Sequence, residues 1–220
     1  MAGSTRTDEK FREWTRDQDL QGSLVSIFEH IRDIPYSLMV PAPEGAPAGE
    51  RLLAAGRGSC GAKHYLLTEM FRRLGVEVVY ATFPFLWNNP DLHYPADLRE
   101  LSRHLPVAYH LACRARINHR WILVDATWDL PLGRAGFPVN EHWDGQSDTL
   151  CAVKPLRSAV RTAFCRTATN EPCRGHDEAV YNPLDGELDH EDERDRVRYT
   201  REKTLIRTQE DLERIRMFFV

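Results

Sequence analysis

The chain has 220 residues, of which 42% are hydrophobic and 28% charged, the balance of a soluble globular protein with one core of ordinary size. Its net charge of -4 is spread over interspersed acids and bases, which removes any electrostatic reason to expect nucleic acid or an anionic membrane as partner. The N-terminal stretch MAGSTRTDEKFREWTRDQDLQ lacks a signal-peptide core, no segment is apolar enough to span a bilayer, and five irregularly spaced cysteines fit a reducing compartment, so a cytoplasmic protein is expected.

Leu24, Ile27, Phe28 and Ile31 recur at helix-face spacing, which predicts a helix over 20–34 limited by Pro35. Residues 40–50 are rich in Pro and Gly and read as a loop. Within 52–75, Gly58-Ser59-Cys60-Gly61 reads as a turn with Ser59 as helix N-cap. Leu66, Leu67, Met70, Phe71 and Leu74 make the apolar stripe behind it, and Gly75 stands at the C′ position. Residues 76–83 alternate and are β-branched, which predicts a strand, and 83–90 form an aromatic loop. Two strands are expected over 107–117 and 121–127, joined tightly at Asn118-His119. Beyond Trp128 the pattern weakens: 185–203 is a charge run, and Thr208 with Asp211 forms a capping box for a short final helix. The expectation is a single domain over 1–220, with a core over about 20–130 and a C-terminal extension over 131–220.

A two-residue turn at Asn118-His119 pairs Ile117 with Arg120, Cys113 with Val124 and Ala112 with Asp125. Alternation then puts Leu111, Cys113, Ala115, Ile117, Ile122 and Val124 on an apolar face. His110, Ala112, Arg114, Arg116, Trp121, Leu123, Asp125 and Thr127 share the other. In this register His110 lies diagonal to Asp125, roughly 7–8 Å away between backbones, a gap that an imidazole and a carboxylate close. A slip of one residue would expose the whole apolar set, which holds the register.

Cys60 stands at a helix start, where free N–H groups and the helix dipole lower a thiol's pKa and can receive an oxyanion. A thiolate nucleophile needs a base beside it and a third group to hold the base. The polar face of the hairpin supplies both as His110 and Asp125. The segment Leu52-Leu-Ala-Ala-Gly-Arg-Gly-Ser-Cys60, with its helix ending Phe71-Arg-Arg-Leu-Gly-Val76, resembles the nucleophile segment of the transglutaminase-like superfamily. His110, the turn and Arg120-Trp-Ile-Leu-Val-Asp125-Ala-Thr resemble its His and Asp strands, with a separation of fifteen residues between His110 and Asp125. Tyr36, after the first helix, is similar too. The resemblance spans about 20–130 and implies a papain-like α+β fold, with the nucleophile helix packed on an antiparallel sheet. It also implies acyl-enzyme chemistry on a peptide, amide or acyl-carrier substrate, in a protease, amidase or transamidating enzyme. The chain departs from the family pattern at Gly61-Ala62-Lys63-His64 and at Leu111-Ala112, differences that bear on the substrate.

Other residues carry alternatives. His64, one helical turn from Cys60, is a rival base or a helix-surface histidine, and the surface reading is favoured. Cys113 reads as a buried hydrophobe. Cys165, Cys173 and His176 suggest a metal, but no paired CxxC or fourth ligand is evident, so neither metal nor cofactor is expected. Trp87 and Asn88 are substrate-contact candidates at the cleft rim. Arg114 binds a substrate carboxylate or is solvated, and Tyr36 assists the oxyanion or packs. The competing readings of the whole are a non-catalytic papain-like peptide-binding module and a Cys/His metal protein.

Overall fold

The computed structural model describes residues 4–38 and 47–156 and the backbone of 161–163. Helix α1 (Arg6–Trp14) is opened by a capping box in which Thr5 Oγ1 accepts from the Asp8 N–H and Asp8 accepts from the Thr5 N–H. The polar N-terminal stretch hides this helix from a search for apolar periodicity; Trp14, 5% exposed, anchors it. Helix α2 (Leu20–Arg32) is capped by Asp19 and buries Leu24, Ile27, Phe28 and Ile31, as their spacing predicts.

Helix α3 (Ala48–Ala55) begins inside the Pro/Gly stretch expected to be a loop. Pro47 sits at its N-cap, outside the helical hydrogen-bond ladder, and therefore does not oppose it. Helix α4 (Cys60–Arg73) starts at the thiol and is followed by Gly75 at φ 80°, the left-handed residue that the sequence places there.

Strands β1 (Val78–Phe85), β2 (Ala108–Ile117), β3 (Arg120–Val124) and β4 (Arg161–Ala163) form an antiparallel sheet in the order β3-β2-β1-β4. Helix α5 (Ala96–Arg103) lies between β1 and β2 in the chain, and a 3₁₀ turn (Leu130–Ala135) follows β3. The molecule is thus α+β, with the helix that begins at Cys60 packed on the antiparallel sheet. The β2–β3 hairpin has the expected register, Cys113 opposite Val124 and Ile117 opposite Arg120. Asn118 at φ 50° and His119 at φ 63° make the left-handed pair that a two-residue hairpin turn requires.

The apolar face of the hairpin, Cys113, Ala115, Ile117, Ile122 and Val124, packs against α2 and α4 in the main core. Each fully buried Ile, Leu or Phe there contributes about 1.5–3 kcal/mol. Leu111, expected on that face, is only half-buried and stands outside the main cluster. The opposite face is not an open polar surface either. Ala112 is fully buried with Ala81 and Phe83, and Leu123, Cys151 and Val153 pack over them. The packed unit runs past 20–130 on both sides: Trp14 joins the core from α1, and Trp143 stacks between Phe28 and Phe71 at 5.0 and 6.1 Å. The charge run at 185–203, the capping box at Thr208, and Cys165, Cys173 and His176 lie outside the described residues.

Candidate active site

Three elements converge on Cys60. It is the first residue of α4, preceded by Ser59 in extended geometry at the N-cap position. The Ser59 hydroxyl makes no capping bond, so it leaves the first-turn N–H groups to another acceptor. The loop before the thiol is held by backbone pairing with the end of α2: Gly58 bridges Tyr36, its N–H donates to the Pro35 carbonyl, and its own carbonyl accepts from Ser37. A Cβ on Gly58 would press on Leu52 Cδ1 and approach Ala62 Cβ to 3.2 Å, so a larger residue here would displace the Leu52 side chain.

Strand β2 brings His110 to the thiol. Its Nε2 is 2.8 Å from Asp125 Oδ2, which leaves Nδ1 for the hydrogen bond that the ring shares with Cys60. Asp125, directly after β3, is held from every side. Oδ2 also accepts from the Ala152 N–H at 2.7 Å, and Oδ1 accepts from the Thr127 hydroxyl at 2.6 Å and the Thr127 N–H at 3.2 Å. Its N–H donates to Thr149 and its carbonyl accepts from Asn140. The structure therefore gathers the three residues that the sequence singled out, and adds a distant segment, 140–152, that fixes the carboxylate.

The electrostatics follow from this geometry. Burial pushes the Cys60 thiol up, but the hydrogen bond and charge of His110, with a backbone hydrogen bond from Leu111, outweigh it, and the pKa falls below its ordinary value. Burial pulls His110 down, yet the Asp125 carboxylate and the thiol raise it to about 10. Asp125 is held well below the usual carboxylate range because His110 overcomes its burial. The other two cysteines among the described residues go the other way. Burial raises Cys113, and burial with the nearby Asp125 charge raises Cys151 to about 12.

His64 is neither a surface histidine nor a base. It is fully buried, its Nδ1 donates to the Cys60 carbonyl at 2.8 Å, and its Nε2 accepts from the Ala126 N–H at 3.1 Å. Burial lowers its pKa to about 4, so its 3.7 Å approach to Asp125 Oδ1 is that of a neutral ring, not of an ion pair. Lys63, also fully buried, donates to the carbonyls of Arg32, Ile34 and Thr127 at 2.9, 2.8 and 2.7 Å, and burial lowers it to about 7. Together the pair ties α4 to α2 and to the chain just past Asp125. Both residues fall on the helix face that carries Leu67, Met70 and Phe71, a placement that marks them as buried polar groups in the sequence itself.

The substrate-contact candidates separate. Tyr36 is 4% exposed, its ring 4.5 Å from that of Trp128 and its N–H donating to Asp129 Oδ2 at 2.6 Å; it is a wall of the site. Trp87 lines a cavity of about 270 Å³ whose wall includes Cys151 but not Cys60, whereas Asn88 is exposed and the neighbouring Asn89 lines the cavity instead. Arg114 lies four residues along β2 from His110, about 13 Å by strand rise, and does not line the cavity. Its Nε is buried without a hydrogen-bond partner among the described residues. Cys151, not singled out in the sequence, has its Sγ within 4.8 Å of donor atoms of His110 and Asp125. With both Asp125 oxygens already accepting hydrogen bonds, the carboxylate has little left to offer an ion.

No protein-family model and no curated protein matches the sequence. A solved structure described as "a Putative Cysteine Protease from Cytophaga hutchinsonii" is similar at a TM-score of 0.40 and 18% identity, over 60% of this chain and 41% of that one. A likeness of that depth assigns neither family nor activity. No helix among the described residues is long and apolar enough to cross a membrane.

Proposed function

We propose that the chain is a cysteine-nucleophile enzyme of the transglutaminase-like kind, a hydrolase or acyltransferase in which Cys60, His110 and Asp125 act as a triad. The Cys60 thiolate attacks the carbonyl carbon of an amide or thioester in a peptide, small amide or acyl-carrier substrate. A C–S bond forms, the oxyanion is received at the open N-terminus of α4, and the bond to the leaving group breaks as His110 Nδ1 gives that group its proton. Water or an amine then surrenders a proton to His110 and releases the acyl group. Asp125 holds the imidazole in the required orientation and stabilises its charged form. Free thiols and the lack of a spanning helix among the described residues suit the cytoplasm as the setting.

The observation that carries the reading is a contrast among thiols. Cys60 sits at a helix start, bonded to a carboxylate-held histidine, with its pKa lowered, while the two other described cysteines are raised. The test is incubation with activated thioester and amide donors, read by intact mass and peptide mapping. An acyl increment on Cys60 that Cys60→Ala removes supports the proposal; a protein that stays unacylated with every donor refutes it.

A further inference from the structure

The cavity lined by Trp87 and Cys151 has a chemistry of its own. Its wall is largely aromatic and aliphatic, built by Phe85, Trp87, Leu92, Trp128, Phe137 and Val153. Leu92, Trp128, Phe137 and Ala152 belong to the buried cluster against which Cys60 itself packs, so thiol and cavity share one wall. Cys151, on the cavity lining, has its Sγ within 4.8 Å of donor atoms of His110 and Asp125, so the same wall reaches the candidate triad. The charged residues on the lining, Asp91 and Lys154, pair with each other at 3.5 Å at the solvent-exposed rim, with side chains 69% and 72% exposed.

Size and polarity together select an occupant. An apolar cavity of roughly 150 Å³ is enough to bind benzene; about 270 Å³ therefore holds a phenyl ring with a short linker or a branched aliphatic chain. A carboxylate or ammonium buried among those rings would lose its hydration and reach a charged partner only at the exposed rim, where Asp91 and Lys154 already face each other.

We infer that the cavity of Phe85, Trp87, Leu92, Trp128, Phe137 and Val153 is the acyl-side-chain subsite, selecting donors whose acyl group is uncharged and aromatic or branched aliphatic. The inference rests on the proposed acyl chemistry of Cys60. A donor side chain in the cavity would direct its carbonyl past Cys151 towards the cluster that Cys60 also packs against. The expected order of acylation is 3-phenylpropanoyl or 4-methylpentanoyl first, acetyl behind, and succinyl last.

Acyl N-acetylcysteamine thioesters make the test, because the leaving group is small and constant across the series. The rate of mass gain on Cys60 is measured for the acetyl, 4-methylpentanoyl, 3-phenylpropanoyl and succinyl donors, with wild type and with Val153→Trp, which fills part of the cavity. The expected result is a phenylpropanoyl rate above the acetyl rate by at least about tenfold, with that ratio falling in Val153→Trp. Equal rates for all four donors, or a lead for succinyl, overturn the subsite while leaving the acyl chemistry standing. Failure of every donor to acylate wild-type Cys60 overturns the acyl chemistry, and the subsite with it. Because the wild-type series ranks the donors alone, a poorly folded variant does not blunt the test.

Discussion

The side chain of His64 is hydrogen-bonded to the backbone of Cys60, its Nδ1 donating to the Cys60 carbonyl at 2.8 Å while Nε2 accepts from Ala126 at 3.1 Å. That pairing needs the neutral ring, and its effect is to lock the Cys60 peptide to the residue after Asp125. Folded His64 takes up its proton only near pH 4, whereas the unfolded side chain does so near 6.5. Between those values the unfolded state holds the extra proton, so stability is lost as pH falls from 6.5 towards 4. The full loss is about 3 kcal/mol. Guanidinium denaturation midpoints across that window should fall for the wild type and stay nearly level for His64→Gln; a wild type that holds its midpoint would contradict the neutral bridge.

Among the three described cysteines, thiol reactivity should single out Cys60. At neutral pH Cys60 has a far larger thiolate fraction than Cys151, whose thiol is pushed up to about 12. Allowing for the lower intrinsic nucleophilicity of a lower-pKa thiolate, iodoacetamide should modify Cys60 faster than Cys151 or Cys113 by at least about tenfold. Peptide mapping at short times reads this directly. In His110→Gln the Cys60 alkylation profile should move to higher pH, because the imidazolium that stabilises the thiolate is gone.

Much of this site is legible in the sequence, and the boundary has a physical cause. The hairpin register follows from alternation and from a turn that accepts two left-handed residues, so the juxtaposition of His110 and Asp125 is readable from the hairpin alone. Cys60 at a helix start is equally local. The contacts of Asp125 with Ala152, Thr149 and Asn140 depend on residues 15 to 27 positions away that carry no periodic signal, and only the folded chain brings them together. Helix α1 is stabilised by its capping box and by Trp14 rather than by an apolar stripe. Helical spacing puts Lys63 and His64 on the buried face; the surface reading of His64 follows its polarity, and the carbonyl and amide partners of the pair prevail over it.

Asp125→Asn tests orientation separately from nucleophilicity. The amide keeps the size of the carboxylate but not its charge, and its nitrogen can face His110 only as a donor. The histidine then loses both the anchor and the charge that raise its pKa. Turnover of an acyl donor accepted by the wild type should fall by roughly 10²–10⁴ while the protein still folds and Cys60 still alkylates. Wild-type turnover in this variant would remove Asp125 from the mechanism.

Lys63 and His110 set opposite slopes on the alkaline side. Folded Lys63 loses its proton near 7 and the unfolded side chain near 10.5, so between those values the unfolded state binds the extra proton and stability rises with pH. His110 reverses the sign: the folded ring keeps its proton to about 10 and the unfolded one only to about 6.5, so its contribution is complete below 6.5 and is lost as pH rises towards 10. Each slope is about 1.4 kcal/mol per pH unit where it acts alone, and over roughly 7–10 they cancel. In the wild type the lowered Cys60 thiol adds to the Lys63 slope below pH 9, and the raised Cys113 and Cys151 thiols subtract above it, so the Lys63 slope is isolated only in a variant. Removing the histidine in His110→Gln takes away its opposing slope and the cause of the Cys60 lowering, and the midpoint should climb with Lys63 from pH 7 to 9, below the range where the raised Cys113 and Cys151 thiols subtract. A falling midpoint in that variant would mean that Lys63 stays protonated throughout, with its three carbonyl partners holding an ammonium and not an amine.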